Sequence, residues 1–145
     1  MKNSNALLVI DMQKGSFIPE TPRYDREGVV QRINELAQLF RTLGFPVIII
    51  QHDGTGTGFF EKNTFDWENL DDLVIQPTDI NIDKYANDVF YKSELHATLQ
   101  KLEINELFIT GCATDFCVES TIQSALTNRP LQLGLAKYDT YSRES

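Results

Sequence analysis

The sequence predicts an α/β domain built on a parallel sheet with both faces covered. Three observations carry that expectation: apolar runs of strand length without alternation, helical-period stretches between them, and chemistry-bearing residues at the ends of the runs. A run that is apolar at every position buries both faces of its strand. Strands that alternate with helices require right-handed crossovers, and these make neighbouring strands parallel.

The elements follow in order. ALLVI at 6–10 stops abruptly at Asp11 and reads as a strand; a polar stretch with Gly15, Pro19 and Pro22 comes next. Val29, Val30, Ile33, Leu36, Ala37, Phe40 and Leu43 recur at helical spacing, and Gly44 ends that helix just past its cap. PVIIIQ at 46–51 is a second strand, closed by His52 and Asp53 and followed by DGTGTG and a long, Phe-rich acidic loop through Trp67. A weaker strand at 80–83 leads to Lys84, and Leu95, Leu99 and Leu102 share one face of a helix over 94–102. ELFIT at 106–110 is the next strand. Phe116, Val118, Ile122, Ala125 and Leu126 keep helical period over 114–127, and 131–136 forms the last strand. The whole chain, 1–145, reads as one domain.

Composition narrows the function. With 145 residues, 41% of them hydrophobic and 23% charged, the chain builds a core without a disulfide or metal staple. A formal charge of −8 has the wrong sign for tracking a phosphate backbone, so nucleic acid is excluded as a partner. The apolar runs fall short of the ~20 residues that span a bilayer, and the N-terminus lacks a signal-peptide apolar region, so no membrane partner and a cytoplasmic location are expected. Cys112 and Cys117 are too few and too close for a secreted disulfide framework. Only two histidines, His52 and His96, are present, so the expectation is no metal and no cofactor.

In parallel sheets ligands bind beyond the carboxyl ends of the strands, which puts Asp11, His52 with Asp53, Lys84 and the turn at 111–117 on one rim. In GCATDFC, Thr114 or Asp115 caps the following helix and Cys117 falls in its first turn, where the helix dipole lowers a thiol pKa. The free N–H groups of the same turn suit a developing oxyanion. Cys117 also reads as a small buried hydrophobe, and Asp11 and Lys84 taken singly read as solvated rim residues. Taken together they form a coherent machine: Lys84 stabilises a thiolate, Asp11 shuttles protons and Cys117 attacks a carbonyl. Phe59, Phe60, Phe65 and Trp67 either wall a small substrate or fasten their loop to the core. Gln13 either orients a substrate amide or carboxylate or is a solvated turn residue, and His52 either lines the pocket or bonds to backbone. DGTGTG lacks the spacing of a phosphate loop and reads as a flexible lid, and Cys112 reads as packing.

Three stretches carry a resemblance to a known family: ALLVIDMQKGSF at 6–17, KYANDVFYKSEL at 84–95 and ITGCATDFCVESTIQSAL at 109–126. They resemble the isochorismatase-like cysteine hydrolases, which include isochorismatases, nicotinamidases, N-carbamoylsarcosine amidases and ureidoacrylate amidases. The resemblance implies a catalytic triad of Asp11, Lys84 and Cys117. It implies an oxyanion hole from the backbone of Ala113, Thr114 and Cys117, with a non-proline cis peptide near Ala113 and Thr114. Substrate contacts are expected at Gln13, Phe17, His52, Trp67 and Phe90. The fold implied is a three-layer α/β/α domain on a mostly parallel, Rossmann-like sheet, in a homo-oligomer whose sites lie near subunit contacts.

The chain departs from the family in three places. Asp88 stands where the family has Ser, and only His52 and Asp53 stand where metal-dependent nicotinamidases carry an Asp and several His. The sequence stops shortly after Asp139, where relatives add a loop, a helix and a short strand, so the domain is expected to lack the family's C-terminal segment. The expected function is cysteine-dependent hydrolysis of an amide or ureido C–N bond in a small molecule, through a thioester. The alternatives are vinyl-ether hydrolysis of an isochorismate-like substrate, or a catalytically silent binding protein of the same fold.

Overall fold

Five strands, β1 (Asn5–Ile10), β2 (Val47–His52), β3 (Ile80–Lys84), β4 (Glu106–Gly111) and β5 (Gln132–Leu135), form one sheet in the order β3-β2-β1-β4-β5. Every neighbouring pair is parallel. The computed structural model describes residues 4–20, 23 and 25–112, together with the backbone of residues 132–135. The expected helix over 114–127, the turn at 113–117 and everything past 135 lie outside the described residues.

Both faces of the sheet are covered because residues 6–10 of β1 and 47–50 of β2 are apolar at every position. Successive strand residues point to opposite faces. Leu7, Val9, Val47 and Ile49 therefore pack on α1 (Arg26–Thr42) through Val29, Val30, Ile33, Ala37 and Phe40. Ala6, Leu8, Ile10, Ile48, Ile50 and Ile82 pack on the other side, against Leu95 and Leu99 of α2 (Leu95–Lys101). At roughly 1.5–3 kcal/mol for each large aliphatic chain, this double burial is the main stabilising term in the fold.

The helices α1 and α2 stop where the sequence turns the chain back. At the end of α1, Gly44 takes φ 79°, its N–H donates to Arg41 O at 3.1 Å, and Phe45 N–H donates to Phe40 O at 2.9 Å. The Phe45 ring then meets Phe40 edge-on at 6.0 Å, the apolar contact that accompanies this motif. The same stop follows α2, with Glu103 rather than glycine in the left-handed position at φ 55°. Its N–H donates to Gln100 O at 3.1 Å, and Ile104 N–H donates to Leu99 O at 3.0 Å.

A cavity of about 480 Å³ lies at the amino ends of the strands, lined by Arg41, Phe45, Pro46, Asp79, Leu102 and Ile104 among others. The residues that carry chemistry sit at the opposite end.

Candidate active site

Asp11 follows the last residue of β1, where the chain leaves the sheet in the left-handed region at φ 55°. Its N–H donates to Ile50 O at 3.0 Å, so the residue is held against β2 as it turns. Lys84 closes β3, paired in register with His52 of β2. Asp11 and Lys84 are thus separated by the full width of β2, two interstrand spacings of about 4.8 Å. A long side chain is needed to cross that distance, and Lys84 does so: its Nζ lies 2.9 Å from Asp11 Oδ2 and donates to Ala86 O at 3.1 Å.

The pair is buried, with Lys84 0% and Asp11 6% exposed. Asp11 Oδ1, equally shielded, has no hydrogen-bond partner among the described residues. A buried carboxylate oxygen left open among the described residues, beside a buried ammonium, is free to receive a further hydrogen-bond donor.

His52 ends β2 between them. Burial first, and then the positive charge of Lys84, holds its imidazole below the usual histidine pKa, against the opposing pull of Asp11 and Asp53. The ring meets Phe60 edge-on at 5.9 Å. His52 therefore presents a neutral ring near neutral pH, suited to hydrogen bonding rather than charge.

β4 supplies the fourth strand end. Gly111 has φ 126°, and a Cβ there would stand 2.1 Å from Ile10 O, so only glycine lets β4 pass this close to the end of β1. Cys112 N–H then donates to Ile10 O at 2.8 Å, which launches the chain beside Asp11. The Cys112 side chain is buried in the core cluster on the α1 side, as packing. Ala113, Thr114 and Cys117 lie outside the described residues.

The remaining expected contacts fall into different surroundings. Gln13 is fully buried rather than solvated, and its amide is engaged by backbone: Nε2 donates to His52 O at 3.1 Å and Trp67 O at 2.8 Å, while Oε1 accepts from His52 N–H at 3.0 Å. Trp67 sits on a strap, residues 66–70, that runs antiparallel to the stretch after β1. Phe17 is half-buried under the Arg26 guanidinium, 5.9 Å from its ring, and lines a cavity of about 310 Å³ on the α1 side with Lys14, Phe65 and Leu70. Phe90 is a core residue on the α2 side. Asp88 uses its carboxylate to accept from Phe90 N–H at 2.9 Å, which fixes the turn after β3.

DGTGTG is a cross-tied turn, not the free lid expected from its glycines. Asp53 Oδ1 accepts from Thr55 N–H and hydroxyl at 3.0 and 2.6 Å, Glu61 accepts from Gly56 N–H at 3.1 Å, and Gly54 N–H donates to Phe60 O at 2.8 Å. Short polar side chains hydrogen-bond their own backbone here, a signal that Asp and Thr between the glycines already carried. Gln51 was missed in the sequence: its Nε2 donates to Trp67 O at 3.0 Å. A lone amide ending an otherwise apolar strand was the available clue.

Comparison with known proteins shows the family of the chain. Residues 5–128 match the isochorismatase domain. The uncharacterized isochorismatase family protein YddQ of Bacillus subtilis (strain 168) is 29% identical over 126 residues, covering 85% of this chain and 70% of that protein. The ureidoacrylate amidohydrolase RutB of Caulobacter vibrioides (strain ATCC 19089 / CIP 103742 / CB 15) is 40% identical over 62 residues, 43% of this chain, and the match spans only 28% of that protein's length. Among solved structures, that of an isochorismatase family protein superposes with a TM-score of 0.87 at 30% identity, over 94% of this chain and 81% of its own.

Proposed function

We propose that this chain, which belongs to the isochorismatase family, hydrolyses an amide or ureido C–N bond of a small molecule through a thioester on Cys117. The observation that carries the reading is the buried Asp11–Lys84 pair, 2.9 Å apart, at the carboxyl ends of the strands and next to the point where β4 hands the chain to GCATDFC. The similarity to a ureidoacrylate amidohydrolase over part of the chain supports a C–N bond as the target.

In this mechanism Asp11 takes the thiol proton of Cys117, and the charge of Lys84 stabilises the thiolate beside it. The sulfur attacks the carbonyl carbon, and backbone N–H groups of Ala113, Thr114 and Cys117 receive the negative oxygen. Asp11 returns its proton to the leaving nitrogen as the C–N bond breaks. Water then attacks the thioester while Asp11 accepts its proton. Breaking the C–S bond releases the acid, and Asp11 returns its proton to the Cys117 sulfur, which restores the starting state. Trp67 and His52 wall the pocket, and no step requires a metal, so turnover persists after chelation.

The test is ammonia release from a panel of small primary amides and N-carbamoyl amino acids by the wild type and by Cys117→Ala. The variant is expected to be inactive. Substantial residual amidase activity in it would sink the covalent route, and retained turnover of an isochorismate-like vinyl ether would point to Asp11 as a simple acid.

A further inference from the structure

Two buried glutamines converge on one peptide carbonyl. Gln13, 0% exposed, and Gln51, 8% exposed, both donate to Trp67 O, at 2.8 and 3.0 Å. Gln13 also brackets His52, donating to its carbonyl and accepting from its N–H. The strap around Trp67 is further held by backbone bonds from Lys14 N–H to Glu68 O at 2.8 Å, Gly15 N–H to Asp66 O at 3.0 Å and Leu70 N–H to Met12 O at 3.0 Å. One amide therefore joins the exit of β1, the end of β2 and the strap, two residues from Asp11.

Buried amides satisfied in this way are costly to replace, because each lost partner leaves a shielded polar group without a bond. The fastening is also specific. Gln13 supplies two donors and one acceptor in a fixed plane, a set that neither Glu nor a hydrophobe reproduces at neutral pH.

We infer that Gln13 is a positioning residue: with Gln51 it clamps the Trp67 strap over the ends of β1 and β2, fixing the pocket wall that selects substrate. Proton transfer stays with Asp11 and Lys84. The inference rests on the hydrolase reading, in which Trp67 lines the pocket. Loss of the clamp therefore weakens substrate binding more than it slows chemistry.

Trp67 is the single tryptophan of the chain, so its emission reports the strap directly and without any substrate. In Gln13→Glu the new carboxyl faces two carbonyl oxygens in a buried place, and both circumstances favour its protonated form. Protonated, it donates to Trp67 O and accepts from His52 N–H; ionised, it repels both carbonyls. Among the described residues, the charged and titratable groups around it are the Asp11–Lys84 pair at the ends of β1 and β3, His52 and Asp53 at the end of β2, Asp66 and Glu68 on the strap, and Lys14 with Asp71 beside it.

The experiment measures Trp67 emission, acrylamide quenching and far-UV circular dichroism for the wild type, Gln13→Glu and Gln51→Met, with kcat and KM for N-carbamoylglycine as the probe, at about pH 5 and about pH 8. At the lower pH Gln13→Glu keeps the bonds to Trp67 O and His52 N–H and loses only that to His52 O, so its emission and KM are expected to depart from the wild type less than at the higher pH. At the higher pH its emission shifts reversibly to the red, and KM rises about tenfold with kcat within about threefold. Gln51→Met, which loses one of the two bonds to Trp67 O, is expected to show a smaller shift at both pH values and a KM rise of about threefold. The inference is overturned if both variants keep wild-type emission and KM. It is equally overturned if kcat falls in place of KM, or if emission moves only together with loss of the circular dichroism of the fold. If the wild type does not turn over the probe, the hydrolase reading fails for that substrate class, and the emission arm alone decides the clamp.

Discussion

Two buried ion pairs stand at opposite ends of the same sheet. At the amino end, Arg41 of α1 holds Asp79, the residue before β3, with Nε at 2.9 Å and Nη2 at 2.6 Å, and Gln76 N–H adds a third donor to the same carboxylate at 2.9 Å. At the carboxyl end, Lys84 holds Asp11 through one contact at 2.9 Å, Asp11 Oδ1 stays open among the described residues, and the Asp11 backbone is left-handed. The first carboxylate is saturated from both oxygens and acts as a staple between helix and strand. The second is under-satisfied among the described residues and its backbone is strained, a combination that persists at sites of chemistry because the surrounding fold enforces it.

The comparison can be broken most directly at its two aspartates. Asp11→Asn is expected to lower kcat about 10²–10⁴-fold, the usual contribution of a positioned acid–base group. If activity survives, Asp11 is an ion-pair partner and nothing more. Asp79→Asn leaves a buried guanidinium short of its countercharge, so it is expected to cost about 3–5 kcal/mol in urea unfolding while folded enzyme keeps kcat within about threefold. A large loss of kcat at unchanged stability would mean that the amino end also serves the reaction.

A smaller effect sharpens the contrast in pH. His52 at the carboxyl end has its folded pKa below its unfolded value, so between the two the unfolded chain binds the proton more readily. The stability tied to a neutral His52 is full above the ordinary histidine pKa of about 6.5 and is lost as pH falls through that value toward the folded one. Urea midpoints of the wild type should drop over this window more than those of His52→Gln. Equal slopes would remove His52 from the account.

The smallest effect lies at the amino end, where Glu103 is left-handed at φ 55° and exposed. Glu103→Gly keeps the helix stop and relieves the Cβ conflict, so it should raise stability by about 1 kcal/mol with activity unchanged. Strain at Glu103 is thus removable without functional loss, whereas strain at Asp11 is tied to the site.

Much of this was legible in the chain. ALLVI and PVIII read as doubly buried strands, and β2 runs one residue later, Val47–His52, than the expected 46–51; Gly44 marked the end of α1, because burial and left-handed turns leave local signatures. The rim placement of Asp11, His52 and Lys84 followed from the alternation alone. The clamp did not, because Gln13, Gln51 and Trp67 are distant in sequence and a polar side chain does not announce which carbonyl it will meet. The closure of DGTGTG was half-legible: its Asp and Thr encode local hydrogen bonds, but its glycines suggested freedom.

The sequence by itself determined the order and kind of the elements among the described residues, the family, and which residues could bear charge at the strand ends, since periodicity, breakers and motif spacing are local properties. Tertiary structure alone decided that Lys84 crosses β2 to reach Asp11, that Asp79 is saturated while Asp11 Oδ1 is open among the described residues, and that two glutamines share one carbonyl. Each of these depends on parallel register between strands far apart in the chain, and the resulting distances of about 3 Å are set by packing and not by any neighbouring residue.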